Sequence, residues 1–180
     1  MTTYDALAAA VLELDQHLAP GGWDQPERLY ALVGTVDLLA AEPTLGASLG
    51  IDEEPRPGDL TAVEQDLPAA STLEDVLTTV AWPPTVTGCA AVVERVVLPP
   101  GADDELPADP QAASDAANGH PDRQEVRIVA GVTRAGATYC ALRMRAHDDD
   151  LAVVRGPDLV PTLLELLGTT LEDPEEETSP

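Results

Sequence analysis

Leu7, Val11, Leu14 and Leu18 recur every three or four positions, a spacing that predicts an amphipathic helix, with Thr2 or Thr3 as its cap and Ala19-Pro20-Gly21-Gly22 as its stop. The short apolar run from Arg28 to Val33 reads as a strand, although a helix continuous from Glu27 competes with it. Thr35 can then cap a helix through Leu38 and Leu39 to Glu42. Residues 52–70 are acidic and Pro-containing, with few side chains able to anchor them, and read as a surface loop. Ser71 with Glu74 makes a capping box for a short helix on Leu73, Val76, Leu77 and Val80, which ends before Pro83-Pro84. Residues 86–98 are rich in Val and predict a long strand.

Residues 100–122 combine prolines with acidic residues, and Leu106 is their one large apolar side chain. Such a stretch buries too little surface to offset its ordering entropy, so it reads as a disordered or mobile insert. Residues 126–133 and 138–146 alternate in β fashion around Arg134-Ala135-Gly136, a hairpin with Gly136 suited to positive φ. The period of two puts Val126, Ile128, Ala130 and Val132 on one face, with Cys140, Leu142 and Met144 beside them. Arg123, Glu125, Arg127, Arg143 and Arg145 fall on the other. Asp158 is placed to cap a last helix carrying Val160, Leu163, Leu164, Leu167 and Leu171, with Pro161 in its first turn. The chain ends in an acidic tail, 172–180.

These elements predict an α+β fold: an antiparallel sheet of about four strands, with helices packed on one face and the N- and C-terminal helices flanking it. The 180 residues suit one domain over 1–171, interrupted by the acidic loop and the insert. With two Trp, three Tyr and no Phe, the core must be built from Leu, Val and Ala. Cys89 and Cys140 lack any close metal-ligand spacing and read as two buried thiols. The acidic N-terminus does not resemble a signal peptide, and no apolar run approaches the ~20 residues of a membrane span. A soluble cytoplasmic protein is expected.

Charge changes this picture in one place. The net charge is -24, which disfavours nucleic acid and anionic lipid as partners. Yet five of the nine basic residues, Arg123, Arg127, Arg134, Arg143 and Arg145, lie in the hairpin. All nine are Arg and none is Lys, so each can grip a carboxylate through two parallel hydrogen bonds. Arg123, Arg127, Arg143 and Arg145 thus form a candidate binding face. It could receive a protein partner with an acidic or amphipathic segment, receive the chain's own acidic tail, or stand as the solvated side of the sheet.

Gly22-Trp23-Asp24-Gln25-Pro26 with the following Arg28–Val33 run, Val80-Ala81-Trp82-Pro83, Gly88-Cys89-Ala90, Gly119-His120-Pro121 with Arg123-Gln124-Glu125-Val126-Arg127, and Asp158-Leu159-Val160-Pro161 together resemble a family of uncharacterised actinobacterial proteins. The resemblance implies a fold like that of the type III secretion chaperones, in which helices pack on a curved antiparallel sheet and the sheet is a docking surface. It brings no catalytic residues.

The remaining candidates are sparse. His147-Asp148-Asp149-Asp150 has neither EF-hand spacing nor a second His, so these acids read as solvated rather than metal-binding. His120 reads as a loop histidine with a local hydrogen bond, and Trp23 and Trp82 as closing the ends of the core. No GxSxG, phosphate loop or HExxH is present. The expected function is therefore a non-enzymatic, chaperone-like interaction module without a cofactor, using its sheet or a groove between sheet and helix. The alternative is a small-molecule binding protein or an enzyme of unrecognised type, with a pocket near Trp23, Trp82 and His120. A homodimer stays open, because the long strand at 86–98 could be a sheet edge and pair with its copy.

Overall fold

Two strands with unbroken apolar runs organise the molecule. In the computed structural model, which describes residues 2–173, Val86–Val97 forms the longest strand, β3, and Gln124–Thr133 forms β4 beside it. Strands that are apolar at consecutive positions are buried on both faces. Ile128-Val129-Ala130-Gly131-Val132 is such a run, and its residues are buried throughout.

The other strands are β1 (Arg28–Gly34), β2 (Leu60–Gln65), β5 (Thr138–Met144) and β6 (Val154–Gly156). They complete one antiparallel sheet of six strands in the order β2-β1-β3-β4-β5-β6. The sheet is open, with β2 and β6 at its edges. Helix α1 (Thr3–Leu18) starts from a capping box between Thr2 and Asp5 and lies on one face. Its Leu7, Val11 and Leu14 pack on Tyr30, Leu32, Ala90, Val92, Val129 and Ala141. Ala90, Gly131 and Ala141 keep part of this floor low so that the helix can settle close: a Cβ added at Gly131 would come within 2.9 Å of both Leu7 and Val11. Helix α1 meets β4 and β5 on one side and β2, at the far edge, on the other. Four strand spacings of ~4.8 Å separate β2 from β5, more than a helix ~10–12 Å wide can bridge across a flat sheet. The sheet therefore curves around α1.

The opposite face is closed by α4 (Leu73–Leu77) and α6 (Pro161–Thr169), whose Leu73, Leu77, Leu164 and Leu167 pack on Cys89, Ala91, Val126, Ile128, Ala130 and Cys140. Short helices α2 (Thr35–Ala41) and α3 (Leu45–Ser48) lie between β1 and β2, and α5 (Pro110–Asn118) lies between β3 and β4.

An α+β fold with helices on an antiparallel sheet is what the pattern predicts, and the alternation of the hairpin holds: Val126, Ile128, Ala130, Val132, Cys140, Leu142 and Met144 share the α6 face. Several details differ. There are six strands instead of four because both edge strands carry weak patterns, β2 being half-exposed and polar and β6 only three residues long. Helices cover both faces rather than one, since the central strands are apolar on both. Within the expected loop 52–70 lies β2, and within the insert 100–122 lies α5, which buries no residue and is held by its Asp109 cap. The capping box of α4 is Thr72 with Asp75, one position later than Ser71 with Glu74. Helix α6 begins after Val160 with no side-chain cap, so Asp158 does not serve as one. Finally, β3 is paired on both sides and offers no edge to a second copy. Of the acidic tail, residues 174–180 lie outside the described residues.

Candidate functional site

Toward one end of the sheet, the α1 face changes from apolar to charged. Arg127 on β4 lies directly opposite Arg143 on β5, a like-charge pair that is destabilising unless acids surround it. Six carboxylates surround this pair and Arg145, and they come from five different parts of the chain.

Arg143 is held by α1. Asp15 accepts from its Nε at 3.1 Å and its Nη2 at 2.7 Å, the bidentate geometry that a planar guanidinium favours. Both side chains are only 2% exposed. Asp148 accepts from Nη1 at 3.1 Å, and Asp150 accepts from Nη2. The Asp15 hydrogen bonds outweigh the cost of burial and raise the affinity of Arg143 for its proton, so it stays a cation at every working pH.

Arg127 is held by the segment after α1. Its Nη2 donates to Glu94 on β3 at 2.9 Å and to the Gly22 carbonyl, and its guanidinium lies 4.7 Å from the centre of the Trp23 ring, within cation–π range. Its Nη1 is buried with no partner. Trp23 is fixed at its far end by donating from Nε1 to Asp148 at 3.0 Å, and this bond holds the Asp148 carboxyl below its ordinary range. Glu94 also accepts from the backbone N–H groups of Asp24 at 2.8 Å and Gln25 at 3.4 Å. To make these turns the chain adopts positive φ on either side of Trp23, 77° at Gly22 and 63° at Asp24, which a short polar Asp tolerates better than most residues. The segment 21–26 is thus a strap laid over Arg127.

Arg145 borders the strap, 5.8 Å from the Trp23 ring, and donates to Asp24 at 3.2 and 3.3 Å and to Glu125 at 3.1 Å. Arg123 stands apart, exposed, with a long 3.5 Å bond to the His120 carbonyl. Of the four arginines read as a binding face, the structure brings three together and engages them within the chain. Arg127 and Arg143 are 1% and 2% exposed. Their partners Asp15, Glu94, Asp148 and Asp150, and Asp24 on Arg145, were not singled out as such from the sequence. Only Asp15 left a signal there, as an acid one position after Leu14 on the apolar side of α1.

Arg134, in the hairpin turn, works on the other face. It donates to the carbonyls of Val86 at 2.8 Å, Trp82 at 2.9 Å, Pro83 and Leu171, and pairs with Asp173 at 3.3 Å. Trp82 packs against the α6-face core, and its Nε1 donates to Thr170 at 2.9 Å. Trp23 and Trp82 are therefore on opposite faces of the sheet. His120 accepts a local bond from the Asp122 N–H at 3.1 Å, so the three residues share no pocket. Cys89 and Cys140 are buried free thiols, and burial pushes the Cys89 thiol up to about 11. Among the described residues no group of three or more His, Cys, Asp or Glu could hold a metal ion, and no helix is long and apolar enough to cross a membrane.

A groove of about 610 Å³ runs between α1 and β2. Ala6, Ala9 and Ala10 of α1 line one wall and Leu60 and Ala62 of β2 the other, while Glu13, His17, Asp59 and Glu64 stand around it. Leu49, 43% exposed, also lines it.

Fold and site together define an α+β domain whose antiparallel sheet is layered between helices and locked at one end by an internal ion network. The chain belongs to the PPA1309-like protein family, whose model matches residues 7–172. No curated protein and no solved structure matches it.

Proposed function

We propose that the protein is a non-enzymatic, chaperone-like interaction module that holds an extended segment of another protein in the groove between α1 and β2. The carrying observation is the position of that groove: an apolar-walled channel that opens on a terminal strand of the sheet. Segments recognised by strand addition use such a place, with backbone hydrogen bonds to the edge and side chains in a flanking pocket. Both faces of the sheet are already covered by the chain's own helices, which leaves the edges as the parts of the sheet open to a partner. The curved sheet around α1 supports the chaperone-like reading of the fold. Two unpaired thiols support a reducing compartment, the cytoplasm.

The arginine face contributes to this module as its internal anchor, since Arg127 and Arg143 find their acidic segment within the same chain. Against a pocket near Trp23, Trp82 and His120 stands the placement of the two tryptophans on opposite faces of the sheet.

The test is a displayed library of random ten-residue peptides selected against the full chain. Ala9 lies on the exposed side of α1, so Ala9→Trp fills the groove without disturbing the core. Enriched peptides that lose binding to Ala9→Trp, yet keep it in Leu151→Ser beside the other edge, support the groove. Failure to enrich any peptide, or enrichment of peptides indifferent to Ala9→Trp, overturns it.

A further inference from the structure

We infer that the groove selects a basic segment, one that adds to the outer edge of β2 as a seventh strand and points Lys or Arg at Glu13 and Asp59. This rests on the groove reading above and goes further by fixing the partner's charge and mode of attachment, opposite in sign to the acidic segment that the hairpin arginines suggested.

Three observations lead there. First, β2 pairs only with β1 among the described residues. Along an antiparallel edge strand, alternate N–H and C=O groups point away from the sheet and can receive a partner's backbone. Second, Leu60, Ala62 and Glu64 share the α1 side of β2 by alternation. An added strand would direct every second side chain, at a repeat of ~7 Å, into the channel kept open by the small residues Ala6, Ala9 and Ala10. Third, the charges around the channel have one sign. Glu64 is compensated by Arg28 at 2.6 Å, but Glu13 makes no ion pair among the described residues, and Asp59 accepts only the local N–H of Arg56 at 2.7 Å. His17 is the only lining residue that can become a cation.

The rest of the molecule reinforces that sign. Three of the hairpin arginines are committed elsewhere: Arg127 and Arg143 are buried with their own acids, and Arg145 is bridged to Asp24 and Glu125, whereas the exposed Arg56, Arg123 and Arg155 do not line the groove. A body with a net charge of -24 steers a cationic segment inward and disfavours a second copy of the chain at this edge, where two β2 strands would also bring Asp59, Glu64 and Asp66 of each copy together.

Fluorescence anisotropy of the full chain with three kinds of labelled hexapeptide tests the inference: alternating Lys and Val, alternating Glu and Val, and the Lys peptide N-methylated on either set of alternate residues. The Lys peptide is expected to bind and to weaken between about 50 and 300 mM salt. The Glu peptide should bind at least about tenfold more weakly. N-methylation should abolish binding on one of the two alternations, because only one set of N–H groups faces β2. Glu13→Lys should weaken the Lys peptide several-fold, Ala9→Trp should remove it, and amide shifts on binding should fall on β2 rather than on β6. Equal or tighter binding of the Glu peptide, blocked by Ala9→Trp, overturns the basic preference and leaves the groove standing. Lys-peptide binding blocked by Ala9→Trp but indifferent to N-methylation overturns strand addition. Binding indifferent to both Ala9→Trp and Glu13→Lys, or absent for all three kinds of peptide at about 1 mM, overturns the inference, and the selection with random peptides then decides whether the groove has any occupant.

Discussion

The two faces of the sheet are closed by different chemistry. On one, a single 16-residue helix lies in a curved bed of mixed large and small residues, and its C-terminal end is locked by Asp15 on Arg143. On the other, two short helices pack Leu on aliphatic strands, and the ends are pinned by individual hydrogen bonds from Trp82, Cys89 and Arg134. Volume complementarity holds many alternative registers nearly as well as the native one, whereas a buried carboxylate is satisfied only where its guanidinium is. The α1 face therefore fixes where the helix sits, and the α6 face supplies bulk burial.

The contrast is tested most strongly by cutting each side at its centre. Asp15→Ala removes the buried bidentate partner of Arg143, leaving it only Asp148 and Asp150, and should cost about 3–5 kcal/mol in urea unfolding. Leu167→Ala, at a fully buried position, should cost about 2–5 kcal/mol through its cavity. The two losses differ in how they are repaired. Asp15→Leu combined with Arg143→Met should recover most of the stability, because a buried ion pair can be replaced by apolar residues of similar volume when both partners go. If the double variant is as unstable as Asp15→Ala, Asp148 and Asp150 carry more of the lock than Asp15 does.

Glycines come next in size. A Cβ at Gly88 would lie 2.4 Å from the Val132 carbonyl oxygen, which is backbone and cannot yield, whereas at Gly131 it meets side-chain methyls of Leu7 and Val11 at 2.9 Å. Gly131→Ala should cost about 1–3 kcal/mol as overpacking, read from the urea midpoint, and Gly88→Ala more. The reverse order would mean that α1 is less free to shift than β3.

These same elements show what the chain made legible. The alternation in the hairpin separated its aliphatic and arginine faces, because a period of two is strict once one side is buried. The partners of those arginines were not legible: Asp15, Glu94 and Asp148 are brought to them by the curvature of the sheet and by the strap, and neither is written in local periodicity. The two edge strands escaped for a related reason. Half-exposed on both sides, β2 has no alternation to display, and the groove beside it exists only once α1 is placed.

A smaller difference separates the two tryptophans. Trp82→Phe leaves Thr170 without the indole donor in a part-buried site, for an expected loss of about 0.5–1.5 kcal/mol. Trp23→Phe removes the donor to Asp148 at an exposed site while Arg143 still holds that carboxylate. It should cost less, unless the strap depends on the indole for its position.

The weakest expected effect concerns alkaline pH, and it too divides the faces. On the α1 side, Arg143 keeps its charge throughout. On the α6 side, burial first of all, opposed by hydrogen bonds to Thr170 and Trp82, raises the Cys89 thiol from 9.0 to about 11, and burial raises Cys140 as well. A thiol with a raised folded-state pKa keeps its proton in the native protein after the unfolded chain has begun to lose it. Its contribution to stability is thus complete below pH 9 and is lost as the pH rises toward 11. Urea unfolding at intervals across this window should show stability falling with pH, and Cys89→Ala should flatten the slope whatever it does to the absolute value. In the native protein at pH 8, both thiols should resist an aromatic disulfide reagent, since each is buried and protonated. An unchanged slope in a variant carrying both Cys89→Ala and Cys140→Ala would assign the alkaline loss to the α1 face instead, where Tyr30 is raised by burial and by the nearby Glu64.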